Sequence, residues 1–175
     1  SASWQSAASA SASASASASA RHGSTWWNVM IVRRATADDV PEIYKLLIAM
    51  HDGVKIPVGE ISEGKLLHMI KHMIEKGIVL LAVKDGKIVG SQAGKFSSDW
   101  WSEEKFFADI WFFVHPDSRK SRAAIKLVKC FIKIGKELKV RVKLGHVYSG
   151  DIDRKDEFFN RLGFVKAGSL FTEGN

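Results

Sequence analysis

The sequence predicts one α/β domain with a mixed, mostly antiparallel twisted sheet flanked by helices. Three observations predict it. Apolar residues recur with period two in some runs and with helical spacing in others, and the two kinds of run interleave from Met30 onward. Asp85-Gly86 sits between two strand-like runs and marks a tight hairpin, since this pair tolerates positive φ. Finally, 175 residues with 46% hydrophobic and 10% aromatic content suit a single core.

The elements follow in order. Residues 1–29 carry an alternating Ser/Ala tract that offers neither a strand face nor a helical stripe, so they are expected to be a linker or an expression remnant rather than part of the fold. "MIVRRA" then reads as a strand. "TADDVPEIYKLLIAMH" reads as a helix, with Thr36 or Asp38 as cap, Pro41 in the first turn, and Val40, Ile43, Leu46, Leu47 and Met50 on one stripe. After the loop "DGVKIPVGEIS", the segment "EGKLLHMIKHMIEKG" predicts a second helix stopped at Gly77. The hairpin "IVLLAVKDGKIVGSQAGKFSS" comes next, then the strand "FFADIWFFVH" closed by Pro116. Residues 119–138 predict a long amphipathic helix. "KVRVKLGHVYS" predicts a strand, "RKDEFFNRLG" a short helix and "FVKAGSLF" a final strand, for the order β-α-α-β-β-β-α-β-α-β.

The net charge of +7 implies attraction to anions without choosing among nucleic acid, acidic protein and a phosphorylated ligand. The single cysteine, Cys130, excludes an internal disulfide and a multi-cysteine metal site; it fits a cytoplasmic protein and lies in a helical pattern as a packed thiol. The Ser/Ala tract is too polar for a membrane span and lacks the features of a signal peptide, so no membrane partner is expected.

In "VHPDSRKSRAAIKL" a proline ends a strand, a polar turn follows, and a helix opens on small residues. Helix N-termini present unpaired N–H donors and a partial positive charge, which suits a pyrophosphate. Ser121, Ala123 and Ala124 keep the approach open, while Arg119, Lys120 and Arg122 add charge-assisted donors. The same residues would also serve as a capped helix start with solvated cations.

The succession strand, proline, basic turn, helix, strand, short helix, "GF" resembles the GNAT superfamily of acetyl-CoA-dependent N-acetyltransferases over nearly all of residues 30–175. The family's V-x-P element is matched by Val114, His115 and Pro116, and its turn motif [QR]-x-x-G-x-[GA] by Arg119, Lys120, Ser121, Arg122, Ala123 and Ala124. Arg122 replaces the usual glycine, so its side chain either crowds the phosphate or binds it. The later L-Y-x-K-x-G-F motif appears as Phe158 to Phe164, with Phe159 in place of the tyrosine that gives family members a proton for the departing thiolate. Tyr148 is then the nearest substitute donor, or else an ordinary edge-strand tyrosine.

The resemblance implies acetyl-CoA as cosubstrate, no metal, and a thioester carbonyl held by the backbone at Phe113 and Val114. "FADI" resembles the "FAEI" of the histone-acetyltransferase branch, which makes Asp109 the candidate general base, against a reading in which it faces solvent. His115 is a second candidate base. His68 and His72 stand four apart on a helix but lack the third ligand a metal site needs. Trp100 and Trp101, in a polar loop, either close on a substrate or pack on the domain edge.

The implied function is direct acetyl transfer in a ternary complex to an amine-bearing acceptor, whether a small molecule, a protein or an aminoacyl-tRNA. A catalytically weakened fold that binds protein or nucleic acid is the alternative, favoured by Phe159 and Arg122. Nucleic-acid contact would use the basic helix through Lys126, Lys129, Lys133 and Lys136. A second copy of the chain is a further candidate partner, as a homodimer.

Overall fold

The computed structural model describes residues 29–56, 58–146 and 151–171. Strand β1 (Met30–Arg34) leads into a 3-10 turn at Ala37–Asp39 and helix α1 (Val40–Asp52); helix α2 (Glu63–Lys76) follows. Strands β2 (Ile78–Lys84), β3 (Lys87–Ser98) and β4 (Lys105–Val114) form a meander. Helix α3 (Ala123–Glu137), strand β5 (Arg141–Lys143) and helix α4 (Ile152–Arg161) complete the order. The sheet runs β1-β2-β3-β4-β5, antiparallel throughout except for the parallel β4–β5 pair.

The predicted hairpin turns at Asp85 (φ 51°) and Gly86 (φ 77°), the left-handed pair a tight turn between twisted strands demands. Strand β2 is buried on both faces, which is why its sequence is a continuous apolar run instead of an alternation. Val79, Leu81 and Val83 pack under α1 and α2 with Ile43, Leu47, Ile70 and Met73. Ile78, Leu80 and Ala82 pack under α3 with Leu127 and Phe131. The sheet is thus the middle of three layers.

Of the two expected caps Thr36 holds and Asp38 does not: Thr36 caps the 3-10 turn that leads into α1, its N–H donates to Asp39 Oδ2 at 2.8 Å, and Arg33 holds both Asp39 oxygens at 2.8 and 2.7 Å. The Arg33 guanidinium brings the Asp39 carboxyl down to about 2.

Gln92 lies 0% exposed on β3, opposite Leu80 and Phe112, and neither its Oε1 nor its Nε2 has a hydrogen-bond partner among the described residues. Its neighbour Ser91 is also buried, but the Ser91 hydroxyl accepts from Trp111 Nε1 at 3.0 Å. Gln92→Met fills the same space without the desolvated amide, so it is expected to raise stability by about 1 kcal/mol in denaturant titration.

Two elements depart from the sequence expectation. Residues 164–171 are not a strand: Val165 and Phe171 are 87% and 89% exposed, and no ladder includes them. Phe164 N–H returns to the Phe159 carbonyl at 3.1 Å and Lys166 Nζ reaches Asp156 at 2.9 Å, which folds this segment back against α4 instead of along the sheet. The helix expected over 119–138 begins only at Ala123, because residues 119–122 form a turn.

Candidate active site

Strands β4 and β5 pair at Phe106–Arg141, Phe107–Val142 and Ala108–Lys143, and then part. The paired half is clamped by ion pairs: Lys143 Nζ meets both Asp99 oxygens at 2.8 and 2.9 Å, and Arg141 reaches Glu104 at 3.3 Å. Lys143 Nζ also lies 3.7 Å from the centre of the Phe106 ring. Beyond Ala108, strand β4 runs on to Val114 while β5 has ended, so its edge on that side is vacated. Ile110 has no partner on β3, where the register shifts between Ala93 and Gly94. This bulge reverses the inside–outside parity of β4 beyond Asp109. It places Phe112 and Val114 toward α3 and Trp111 toward α1 and α2.

Asp109 stands where the strands separate. Its Oδ1 accepts the Gly145 N–H at 2.8 Å, a side-chain bond where a ladder bond would otherwise be. Burial pushes the carboxyl up to about 7, against the opposing pull of the Gly145 N–H and its own N–H. The residue is half-buried, between the buried and the solvent-facing alternatives, and its carboxyl is shifted toward neutral pH.

The backbone of the vacated edge is oriented by its other side. His115 N–H bonds the Val89 carbonyl at 2.9 Å and Val114 sits opposite Gly90, the pattern of a non-hydrogen-bonded antiparallel pair. Val114 N–H accordingly points away from β3, toward the gap, as does Phe112 N–H two residues earlier. Phe113 N–H faces β3, and the Phe113 side chain instead supports Arg119, whose guanidinium carbon lies 5.9 Å from the ring centre.

Past Val114 the chain makes a 3-10 turn at Pro116–Ser118 and enters α3. Ser121 Oγ accepts the Ala123 N–H at 3.2 Å, and Lys126 N–H is bonded to the Arg122 carbonyl at 3.0 Å. The N–H groups of Ala124 and Ile125 lie between these, where helical geometry supplies no carbonyl. Arg119, Lys120 and Arg122 are exposed. Arg122 has φ −83° and ψ 7°, a backbone that asks nothing special of glycine, so the replacement adds a side chain without strain. Lys155 of α4 is a cation that the sequence did not single out. Burial lowers its pKa first and the Arg119 charge second, so this cation lies within electrostatic reach of the basic turn.

His146, Asp156 and Lys166 form a second constellation absent from the sequence reading. His146 Nε2 is 2.7 Å from Asp156 Oδ1, and the ring stacks on Phe159 at 5.7 Å. The one signal was a histidine directly after the "KVRVKLG" strand, with no motif linking it to an aspartate ten residues on. Tyr148 lies outside the described residues. His115 Nδ1 accepts the Asp117 N–H at 3.4 Å within the turn. His68 and His72 stack at 6.3 Å, and no group of three metal-ligating side chains occurs among the described residues. Trp100 and Trp101 contact each other edge to face at 5.0 Å, with Trp100 91% exposed. Of the basic helix, Lys126 is tied to the Met30 carbonyl and Lys133 to Glu137. Among the described residues no helix is long and apolar enough to cross a membrane.

No protein-family model matches this chain, and no curated protein matches it in sequence. Solved structures do match in fold. A predicted acetyltransferase from Clostridium acetobutylicum, solved with acetyl-CoA, superposes with a TM-score of 0.67 at 13% identity, covering 83% of this chain and 96% of its own. A GNAT family acetyltransferase from Staphylococcus aureus gives 0.58 at 20% identity, over 83% and 98%. A ribosomal-protein-alanine N-acetyltransferase from Brucella melitensis gives 0.62 at 15%, over 84% and 99%. The chain has the GNAT acetyltransferase fold.

Proposed function

We propose that the protein is an N-acetyltransferase that moves the acetyl group of acetyl-CoA to an amine by direct attack. Residues 30–175 are its transferase domain, and residues 1–29 a linker ahead of it in a cytoplasmic protein. The observation that carries this reading is Asp109, a carboxyl raised to about 7 at the point where β4 and β5 separate. An amine at neutral pH is an ammonium and must lose a proton before it attacks. A carboxylate of such basicity takes that proton where a surface aspartate would not.

The remaining parts fit the same substrate. Arg119, Lys120, Ser121, Arg122, Ala123 and Ala124 receive the pyrophosphate, with Lys155 beside Arg119 as an added cation. Like charges held together at a helix start are relieved by a bound anion. Val114 N–H, aimed into the gap, polarises the thioester carbonyl, and Phe113 acts through the Arg119 it supports. The acceptor is an amine, as it is for the ribosomal-protein-alanine enzyme among the fold neighbours. Phe159 has no proton to return to sulfur, and the sequence candidate Tyr148 lies outside the described residues.

Calorimetry with acetyl-CoA tests the reading. Wild type is expected to bind, and Arg119→Ala combined with Arg122→Ala to bind at least tenfold more weakly, on the order of the loss of one or two charge-assisted contacts. Absence of binding by wild type would overturn the enzyme reading. Phe159 favours a second reading, a binding module with lost activity; it predicts acetyl-CoA binding with no transfer to any amine.

A further inference from the structure

The imidazole of His146 is fixed on two sides and unpartnered at one buried atom. Its Nε2 meets Asp156 Oδ1 at 2.7 Å, and the other Asp156 oxygen accepts from Lys166 Nζ at 2.9 Å. Its ring lies over Phe159 with 20° between the planes, and Phe159 in turn packs against Phe112 of the vacated half of β4 at 6.4 Å. Nδ1 is buried and has no hydrogen-bond partner among the described residues. A buried polar atom left without a partner is costly and asks for a ligand or a task. The residue before it, Gly145, gives its N–H to Asp109, so the chain delivers His146 to the point where the two strands part.

We propose that His146, through Nδ1, gives a proton to the departing thiolate, with Asp156 as its positioning residue. The proposal rests on the transferase reading above. The acceptor nitrogen bonds to the acetyl carbon, the carbon–sulfur bond breaks, and its electron pair goes to sulfur. His146 takes part as the imidazolium: its Nδ1 proton moves to that sulfur and leaves a neutral imidazole with hydrogen on Nε2, which solvent reprotonates. The acceptor ammonium loses two protons, one to Asp109 before attack, which Asp109 then passes to solvent, and one to solvent after it. The sum is one amide, one thiol and one proton. Asp156 is suited to its part: Lys166 first, and His146 next, hold its carboxyl below the usual range, so it stays an anion that keeps hydrogen on Nε2 and fixes the ring beside Gly145 and the parting strands.

Nitrogen NMR of the histidine rings separates this proposal from the reading beneath it. CoA and desulfo-CoA are both expected to shift the amides of Arg119–Ala124, while only CoA shifts the His146 Nδ1 resonance. Equal His146 responses to the two ligands, or none to CoA while those amides move, would overturn the proposal and leave the transferase reading intact. Unmoved amides with both ligands would remove the reading itself. His146→Gln adds a second readout. It should bind acetyl-CoA within about twofold of wild type, yet release thiol to water from bound acetyl-CoA about 10²-fold more slowly. Unchanged thiol release would also overturn the assignment.

Discussion

Asp109→Asn is expected to lower the rate of acetyl transfer by about 10³-fold, with little change in acetyl-CoA affinity. The substitution is chosen for what it keeps. The asparagine Oδ1 still accepts the Gly145 N–H that Asp109 Oδ1 holds at 2.8 Å, so the end of β5 stays in place and only the titrating group is lost. A purely structural aspartate would tolerate that exchange. Steady-state kinetics over pH make the distinction sharper. With Asp109 as base, kcat/KM in wild type falls tenfold per unit as pH drops below about 7, and this limb disappears in the variant.

The same carboxyl makes a stability claim with a definite sign. Its folded pKa, about 7, lies above the unfolded value of roughly 3.9, so the folded state binds the proton more tightly. The stabilising contribution of the protonated form is fully present below the unfolded value and is lost as pH rises through about 7. Wild type is therefore expected to lose stability from about pH 4 to about pH 8, and Asp109→Asn to show a flatter profile over that window, by denaturant titration at several pH values. Holding a strained titration state near the chemistry is a common cost of function.

Much of this was legible in the sequence because it rests on local signals. Asp85-Gly86 specified a turn by its φ requirements, the helical stripes of α1 and α3 announced which faces are buried, and Pro116 with the basic turn marked the helix start. Asp109 was named as a candidate by resemblance, yet its environment was not legible. The bulge at Ile110, which reverses which residues face α3, comes from the pairing of β3 with β4, and strand alternation alone does not reveal a one-residue shift. His146 and Asp156 join through folding, at a separation with no helical or strand period to flag it. Segment 164–171 misled for a related reason: an apolar run signals a strand only where a free edge meets it, and Lys166 is held at Asp156 instead.

Gly94→Ala is expected to destabilise the protein by about 3 kcal/mol, the upper end for overpacking a closed core. Gly94 pairs with Asp109 across the register shift, and a Cβ there would run into Phe131 Cζ, come within 2.5 Å of Phe131 Cε2 and within 2.7 Å of Phe107 Cζ. Those two rings stack at 4.1 Å and are both fully buried, so neither has room to swing aside. The alternative to displacing them is to move β3 away from β4 at the bulge, which shifts Asp109 off the Gly145 N–H. A lower denaturation midpoint is therefore expected together with a fall of the Asp109 pKa toward its ordinary value, as the carboxyl gains water. Loss of stability with the Asp109 titration unchanged would instead place the damage in the α3 layer alone and separate core packing from the geometry of the gap.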